Sequence, residues 1–228
     1  MKDLLKNFDL FCFDFDGLLV DSEGLHKRAY ELSLEEYGFV EQVPFYEYCF
    51  AAHHPSGNRL KNLYRSVFSK LDDTLWAEVA KKKQGHYSDL LSQGPLSLLP
   101  HAQSFIETLL DNGKSLCVVT NTKTQNTFPF RKAFPILEQI PIWITKDDVV
   151  RGKPYPDGYL KALAHHPHIP KSHAIAFDDA LKGITAIISA QITPVLVCSH
   201  EHPQLELIKD PITHIESLKA LLTLSPRD

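Results

Sequence analysis

The chain has 228 residues, 24 Lys and Arg against 28 Asp and Glu, a formal net charge of -4 and 43% hydrophobic residues. That length suits one large domain, or an ordinary core with a smaller insert, and the composition is that of a soluble globular protein. The acidic balance argues against a general nucleic-acid surface, and no apolar run approaches the roughly 20 residues that span a bilayer, so neither nucleic acid nor membrane is an expected partner.

Met1 to Asp9 mixes charged and apolar residues and lacks the apolar core of a secretion signal. Leu10 to Phe13 then reads as a short strand buried on both faces. It runs into Asp14-Phe15-Asp16-Gly17-Leu18-Leu19-Val20-Asp21-Ser22. Asp14 and Asp16 fall at the strand's carboxyl end, where open α/β sheets bind their ligands. Two carboxylates this close repel unless a cation or a shared proton separates them, and oxygen ligands of this kind suit magnesium. Glu23 to Tyr37 is a predicted helix with Leu25, Ala29 and Leu32 at helical spacing, Ser22 as N-cap and Gly38 as stop. Val43 to Leu91 is mainly helical, with Leu60, Leu63, Tyr64, Val67 and Phe68 on one face and Leu75, Trp76 and Val79 on a further helix. Pro44, Pro55-Ser56-Gly57 and Leu71-Asp72-Asp73 mark its turns. This helical block follows directly on the first strand and reads as a separate small domain, with Gln93-Gly94-Pro95 as the return linker.

Beyond the linker, helix and apolar strand alternate. Helices are expected at Ala102 to Asn112, Asp157 to His165 (Leu160 and Leu163 inward) and Gly183 to Ala190, with a last helical segment at Ile215 to Leu224. Strands are expected at Ser115 to Thr120, Gln139 to Trp143, Ala174 to Phe177 and Thr193 to Val197, with a turn at Phe134-Pro135. The alternation predicts a parallel sheet with crossover helices. Cys12, Cys49, Cys117 and Cys198 show no metal-binding spacing, and the first and third fall in core strands. Reduced thiols and a cytoplasmic location follow as expectations. His165-His166-Pro167-His168 reads as a solvated loop and Lys81-Lys82-Lys83 as a solvated helix face.

Three later stretches carry chemistry. Thr120-Asn121 puts a hydroxyl and an amide at a strand's carboxyl end, where the hydroxyl can hydrogen-bond a phosphate oxygen, although a plain strand-to-loop turn is the simpler reading of that pair alone. Gly152-Lys153-Pro154-Tyr155-Pro156-Asp157 holds a lysine before a helix, in backbone that two prolines keep extended. Asp178-Asp179-Ala180-Leu181-Lys182-Gly183-Ile184-Thr185-Ala186 adds two carboxylates after a strand. Together with the Asp14–Ser22 stretch, and in this order, they resemble the four motifs of the haloacid dehalogenase (HAD) superfamily, mostly magnesium-dependent phosphatases with an aspartate nucleophile. Two positions depart inside the fourth motif region: Ala180 stands where Ser is usual and Gln191 where Gly usually ends the following helix. His101 likewise stands where Gly is usual.

The resemblance implies a Rossmann-like α/β core of residues 1–20 and 95–228 with an inserted all-helical cap of residues 21–94. It implies Asp14 as nucleophile, Asp16 as acid and base, and Thr120 and Lys153 as stabilisers of the phosphoryl group. Mg2+ would be held by Asp14, Asp16, Asp179 and Asp178, the last as a ligand or as a partner of one. Gly17, Asn121 and His26 are the candidate substrate contacts. His26 coincides with a histidine that the β-phosphoglucomutase-like branch uses near its hinge, although a lone helical His is as readily structural. That branch's sugar-phosphate pattern in the cap is absent, with Arg59, His53 or His54 as the only candidates to substitute for it. Hydrolysis of a small phosphorylated metabolite, such as a sugar phosphate, leads. A phosphosugar mutase comes second and a non-catalytic binding protein third, with a monomer or weak homodimer as the assembly.

Overall fold

The computed structural model describes residues 1–56, 58–208 and 211–222. Gly57 of the expected Pro55-Ser56-Gly57 turn, and Thr223 and Leu224 of the expected last helix, lie outside them. In chain order come α1 (Lys2–Asn7), β1 (Leu10–Phe13), α2 (Glu23–Glu35), α3 (Phe45–His53), α4 (Arg59–Val67), α5 (Asp73–Gln93), α6 (Ala102–Asp111), β2 (Ser115–Val119), α7 (Thr124–Ala133), α8 (Pro135–Glu138), β3 (Ile142–Ile144), α9 (Asp157–Ala164), β4 (Ala174–Asp178), α10 (Leu181–Ser189), β5 (Thr193–Val197), β6 (Thr213–Ile215) and α11 (Lys219–Leu222). The strands form one sheet in the order β3-β2-β1-β4-β5-β6, every pair parallel. The expected Rossmann-like parallel core is thus present.

β1 sits at the point where the strand order reverses. All four of its residues are buried. Phe11 and Phe13 point to one face, into a cluster with Phe105, Ile106, Leu109 and Phe130, while Leu10 and Cys12 point to the other, with Tyr159, Ala162, Ile184 and Ile187. This alternation between two covered faces is what a wholly apolar central strand requires. It fixes β1 in depth and leaves Asp14 just past its end, with Asp14 N donating to Phe177 O of β4 at 2.9 Å.

Helices α2 to α5 pack round a third cluster of Leu34, Tyr48, Tyr64, Phe68, Leu71 and Val79. The chain leaves and re-enters the sheet region at one place. Leu99 N donates to Leu19 O at 2.9 Å and Asp21 N to Ser97 O at 3.0 Å.

Several expectations change. Ser22 stands at the N-cap of α2, but its hydroxyl makes no capping bond and donates to Asp16 Oδ1 at 2.6 Å. Val67, expected on the apolar face, is 40% exposed, and Leu160, expected inward, is 41% exposed while Leu163 is buried. β3 begins only at Ile142, because Gln139 and Ile140 close the turn after α8. α1 and α7 were not anticipated; α7 carries Pro129 inside it and opens with polar residues, so it lacks a clear apolar period. Ile215 ends an edge strand rather than starting a helix, and α11 is four residues long.

Candidate active site

The carboxyl ends of β1, β2 and β4 bring Asp14, Asp16, Thr120, Asp178 and Asp179 to one rim. Lys153 reaches the same rim from the turn before α9. Its ammonium donates to Asp14 Oδ1 at 2.6 Å and to Asp178 Oδ2 at 2.7 Å. Tyr159 of α9 donates to the same Asp178 oxygen at 3.1 Å, and Ala180 N donates to Asp178 Oδ1 at 3.1 Å. Asn121 clamps the lysine's backbone from both sides: its Oδ1 accepts from Lys153 N at 2.8 Å and its Nδ2 donates to Lys153 O at 3.0 Å.

Two glycines permit the close approach. Gly17 has φ +76, and a Cβ there would collide with the Asp179 carboxylate; a Cβ on Gly183 of α10 would collide with that of Asp178. The expected substrate contact Gly17 donates its N–H to Val20 O at 3.0 Å, which closes the turn after Asp16.

Asp16 is the most heavily hydrogen-bonded of the carboxylates. Oδ1 accepts from Ser22 Oγ at 2.6 Å, His26 Nε2 at 3.2 Å and Tyr87 OH at 3.3 Å; Oδ2 accepts from Thr122 Oγ1 at 2.5 Å and, more weakly, Thr120 Oγ1 at 3.4 Å. Burial pushes its pKa up, yet the hydrogen bonds from His26 and from the Ser22 and Thr122 hydroxyls outweigh that and hold it well below the usual carboxylate value. His26 stacks on Tyr87 with ring centroids 3.9 Å apart, and its Nδ1 lies 2.6 Å from Lys83 Nζ. A charged lysine can only donate, so Nδ1 accepts and Nε2 carries the proton aimed at Asp16. Burial lowers the Lys83 ammonium to about 8, partly offset by the charges of Asp16 and Glu23.

Lys83 therefore is not the solvated residue that the Lys81-Lys82-Lys83 run implied. It is buried on the same stripe of α5 as Val79, Tyr87 and Leu91. That i, i+4 stripe, visible in the sequence, was the signal that could have found it. Thr122, Tyr87, Glu23 and Lys182 were also missed. Glu23 opens α2, and its carboxylate is held down to about 2 because, against burial, His53 and then Lys182 favour its charge. Of the three cap candidates, His53 and His54 line the cavity, whereas Arg59 sits over the Phe50 ring, 4.3 Å from its centroid.

The cavity is about 330 Å³ and is lined by Asp14, Asp16, Thr120, Asn121, Lys153 and Asp179 from the sheet side. Glu23, His26, Tyr30, Tyr48, His53 and Lys83 close it from the helices. Near its floor, ligand oxygens of Asp14, Asp178 and Asp179 lie within 4.8 Å of one another. Three carboxylates there face one ammonium. Burial pushes Asp14 well up, against the pull of Lys153 and with the push of the other acids; burial likewise takes Asp179 to about 7 against the opposing charge of His53. Such an oxygen-only set with a deficit of positive charge fits a hard divalent cation.

Residues 11–197 match the haloacid dehalogenase-like hydrolase family. Over 216 residues the chain is 27% identical to the probable pseudouridine-5'-phosphatase of Drosophila melanogaster, covering 92% of this chain and 88% of that one. It is 26% identical over 191 residues to Protein CbbY of Rhodobacter capsulatus, covering 82% and 84%. The fold is shared with CbbY from Rhodobacter sphaeroides in complex with phosphate, at a TM-score of 0.73 and 22% identity over 94% of this chain and 96% of that one. With the match running from the first strand to the end of β5, the chain belongs to the haloacid dehalogenase-like hydrolase family.

Proposed function

We propose that the chain is a magnesium-dependent phosphatase of small phosphorylated metabolites, with Asp14 as nucleophile. The observation that carries this reading is a buried Asp14 carboxylate at the end of β1, held by Lys153 Nζ at 2.6 Å and opening on a polar cavity of metabolite size. Relatives named as phosphatases of pseudouridine 5'-phosphate, of phosphorylated carbohydrates and of glycerol 3-phosphate support the substrate class.

In this reading a carboxylate oxygen of Asp14 attacks phosphorus, the ester P–O bond breaks, and the leaving oxygen takes a proton from Asp16. Water then attacks the aspartyl phosphate while Asp16 removes its proton. The Asp14–phosphorus bond breaks and inorganic phosphate leaves. The donors round Asp16 hold it as a carboxylate in the resting site, suited to the second step. For the first it needs a proton, and His26 relays one: its Nδ1 takes a proton from Lys83 as its Nε2–H passes to Asp16, leaving the lysine neutral until solvent reprotonates it. Lys153 and Thr120 counter charge on the transferring group. Magnesium held by Asp14, Asp178, Asp179 and the Asp16 backbone carbonyl would supply further positive charge to that group.

In the same proposal the chain divides into a core of residues 1–20 and 95–228 and a lid of residues 21–94. The hydrogen bonds of Leu19 and Asp21 to Leu99 and Ser97 support that boundary, because they tie the two crossing points together as a hinge would need. Four free cysteines suit a reducing compartment such as the cytoplasm.

The test is phosphate release from a panel of phosphorylated metabolites, with magnesium and with chelator, beside Asp14→Asn. Magnesium-dependent release that disappears in a folded Asp14→Asn protein supports the assignment. Undiminished release by that variant would remove Asp14 from the mechanism.

A further inference from the structure

A second group of potential metal ligands stands apart from the nucleophile, on the wall formed by the helices. Glu23, Cys49 and His53 each offer one ligand atom, and these three atoms lie within 4.8 Å of one another. Cys49 and His53 are four residues apart on α3, so they project from one face of that helix. This is the spacing by which paired side chains on a single helix bind zinc. Glu23 comes from the first turn of α2, a different element. The group therefore needs no rearrangement of chain order to converge.

The histidine supplies an independent observation. His53 is 94% buried, and neither of its ring nitrogens has a hydrogen-bond partner among the described residues. Nε2 lies 3.7 Å from Glu23 Oε2 and 3.6 Å from Asp179 Oδ2, distances of ion-pair attraction that are too long for hydrogen bonds. His202 covers the other side of the ring, stacked in parallel with centroids 5.4 Å apart. A buried imidazole without hydrogen bonds is costly, and native interiors ordinarily satisfy such groups. A ligand between Nε2 and the facing carboxylate and thiol would satisfy it.

We propose that Glu23, Cys49 and His53 form a binding site for a zinc-class transition-metal ion, separate from the magnesium ligands. One thiolate, one imidazole and one carboxylate make a borderline-soft donor set, which selects zinc and its neighbours over magnesium. Cys49 binds as the thiolate, and its proton leaves to solvent as the sulfur–metal bond forms. The ion joins the start of α2 to the end of α3. Asp179 stands beside the same imidazole nitrogen, so a cation here also adds positive charge at the edge of the nucleophile's cavity.

Titration of the metal-free protein with Co2+ tests this without reference to turnover. Thiolate ligation gives a charge-transfer band in the near ultraviolet, and four-coordination gives intense visible d–d bands. With excess Mg2+ present to occupy the carboxylate set, the expected result is saturation of both bands at one Co2+ per chain and their displacement by Zn2+. Cys49→Ser should lose the charge-transfer band, and His53→Gln should weaken Co2+ binding at least tenfold, each variant first shown by circular dichroism to be folded. Cys198 is the control thiol, because its Sγ lies 3.7 Å from His214 Nε2; Cys198→Ser should keep the band. The proposal is overturned by a wild-type protein with no thiolate band, or by a band that survives in Cys49→Ser and vanishes in Cys198→Ser.

Discussion

Lys83 and Asp16 are joined through one imidazole: Lys83 Nζ lies 2.6 Å from His26 Nδ1, and His26 Nε2 lies 3.2 Å from Asp16 Oδ1. Lys83 belongs to α5 and Asp16 to the loop after β1, so this chain of contacts spans the helices and the sheet. It gives the helices a direct influence on the Asp16 carboxylate.

Lys83 should set an alkaline limit on turnover. Burial lowers its pKa to about 8, so its charge is present below pH 8 and lost above it. Losing it removes the cation that holds His26 in the tautomer aimed at Asp16. Wild-type kcat/KM should therefore fall as pH rises through about 8. Lys83→Gln should lower kcat/KM by roughly 10²-fold below that pH, the lower end of what a positioned acid or base contributes. The variant should also lose the alkaline fall. A variant with wild-type activity and the same fall near pH 8 would exclude Lys83 from the pathway.

Lys153 is the cation between two buried acids, with 4% of its side chain exposed against 11% for Asp14 and none for Asp178. Lys153→Met removes one member of a buried ion triad and leaves both carboxylates without their cation. The expected loss is about 3–5 kcal/mol of unfolding free energy, typical of breaking a buried pair. It should be larger at pH 8 than at pH 5, because at the lower pH the raised Asp14 carboxyl can take up a proton and relieve the repulsion. Urea denaturation at the two pH values, without metal, measures both. Equal stability of variant and wild type at pH 8 would show that Lys153 does not stabilise the carboxylates.

The strand ends were legible in the sequence because each pairs a wholly apolar run with a polar break. Asp14, Thr120 and Asp178 all lie at such breaks, and the parallel sheet follows from the alternation between them. What stayed hidden depends on contacts between distant segments. Thr122 looks like any loop threonine until α7 and the β2 end are folded against Asp16. α7 itself was masked by Pro129 and its polar first turn, and its burial of Phe130 against the Phe15 ring is a tertiary matter. β6 has only three residues and borrows its definition from β5. Lys83 is different: its place on the Val79–Tyr87–Leu91 stripe was readable, but neighbouring lysines disguised it.

Asp179 makes stability depend on pH and metal together. Its pKa rises from 3.8 unfolded to about 7 folded, with burial as the largest cause. The sign is that of a raised acid. Its contribution to stability is fully present below pH 3.8 and is lost as pH rises through about 7. Metal-free protein should therefore lose stability across that window. Magnesium requires ionised ligands, so its stabilisation should grow across the same window. At about 100 times its dissociation constant it adds roughly 2.7 kcal/mol, about 5–11 °C in Tm for a chain of this length. Thermal scans at pH 5 and pH 8, with MgCl2 and with chelator, test this. A magnesium shift no larger at pH 8 than at pH 5 would contradict it.

Two residues hold glycine-like backbone without being glycine. His101 has φ 69 at the entry of α6, and Gln191 has φ 63 just past the end of α10. These are the positions where the sequence departs from the glycines of the related motifs, and the chain keeps the left-handed turn in spite of the side chain. The left-handed conformation costs an L-residue about 1–2 kcal/mol. Glycine avoids that cost but loses more backbone freedom on folding, about 0.5–1 kcal/mol. Relief of strain wins narrowly. His101 is exposed, and its side chain makes no capping bond, so His101→Gly should stabilise by roughly 0.5–1 kcal/mol, a rise of about 1–4 °C in Tm. Gln191→Gly should gain less, because it also gives up the exposed contact from Lys171 Nζ to Gln191 Oε1 at 3.1 Å. His101→Ala supplies the contrast: it removes the same side chain but keeps the Cβ, so its Tm should stay near wild type. If His101→Gly and His101→Ala melt together, backbone strain at this turn is not what limits stability.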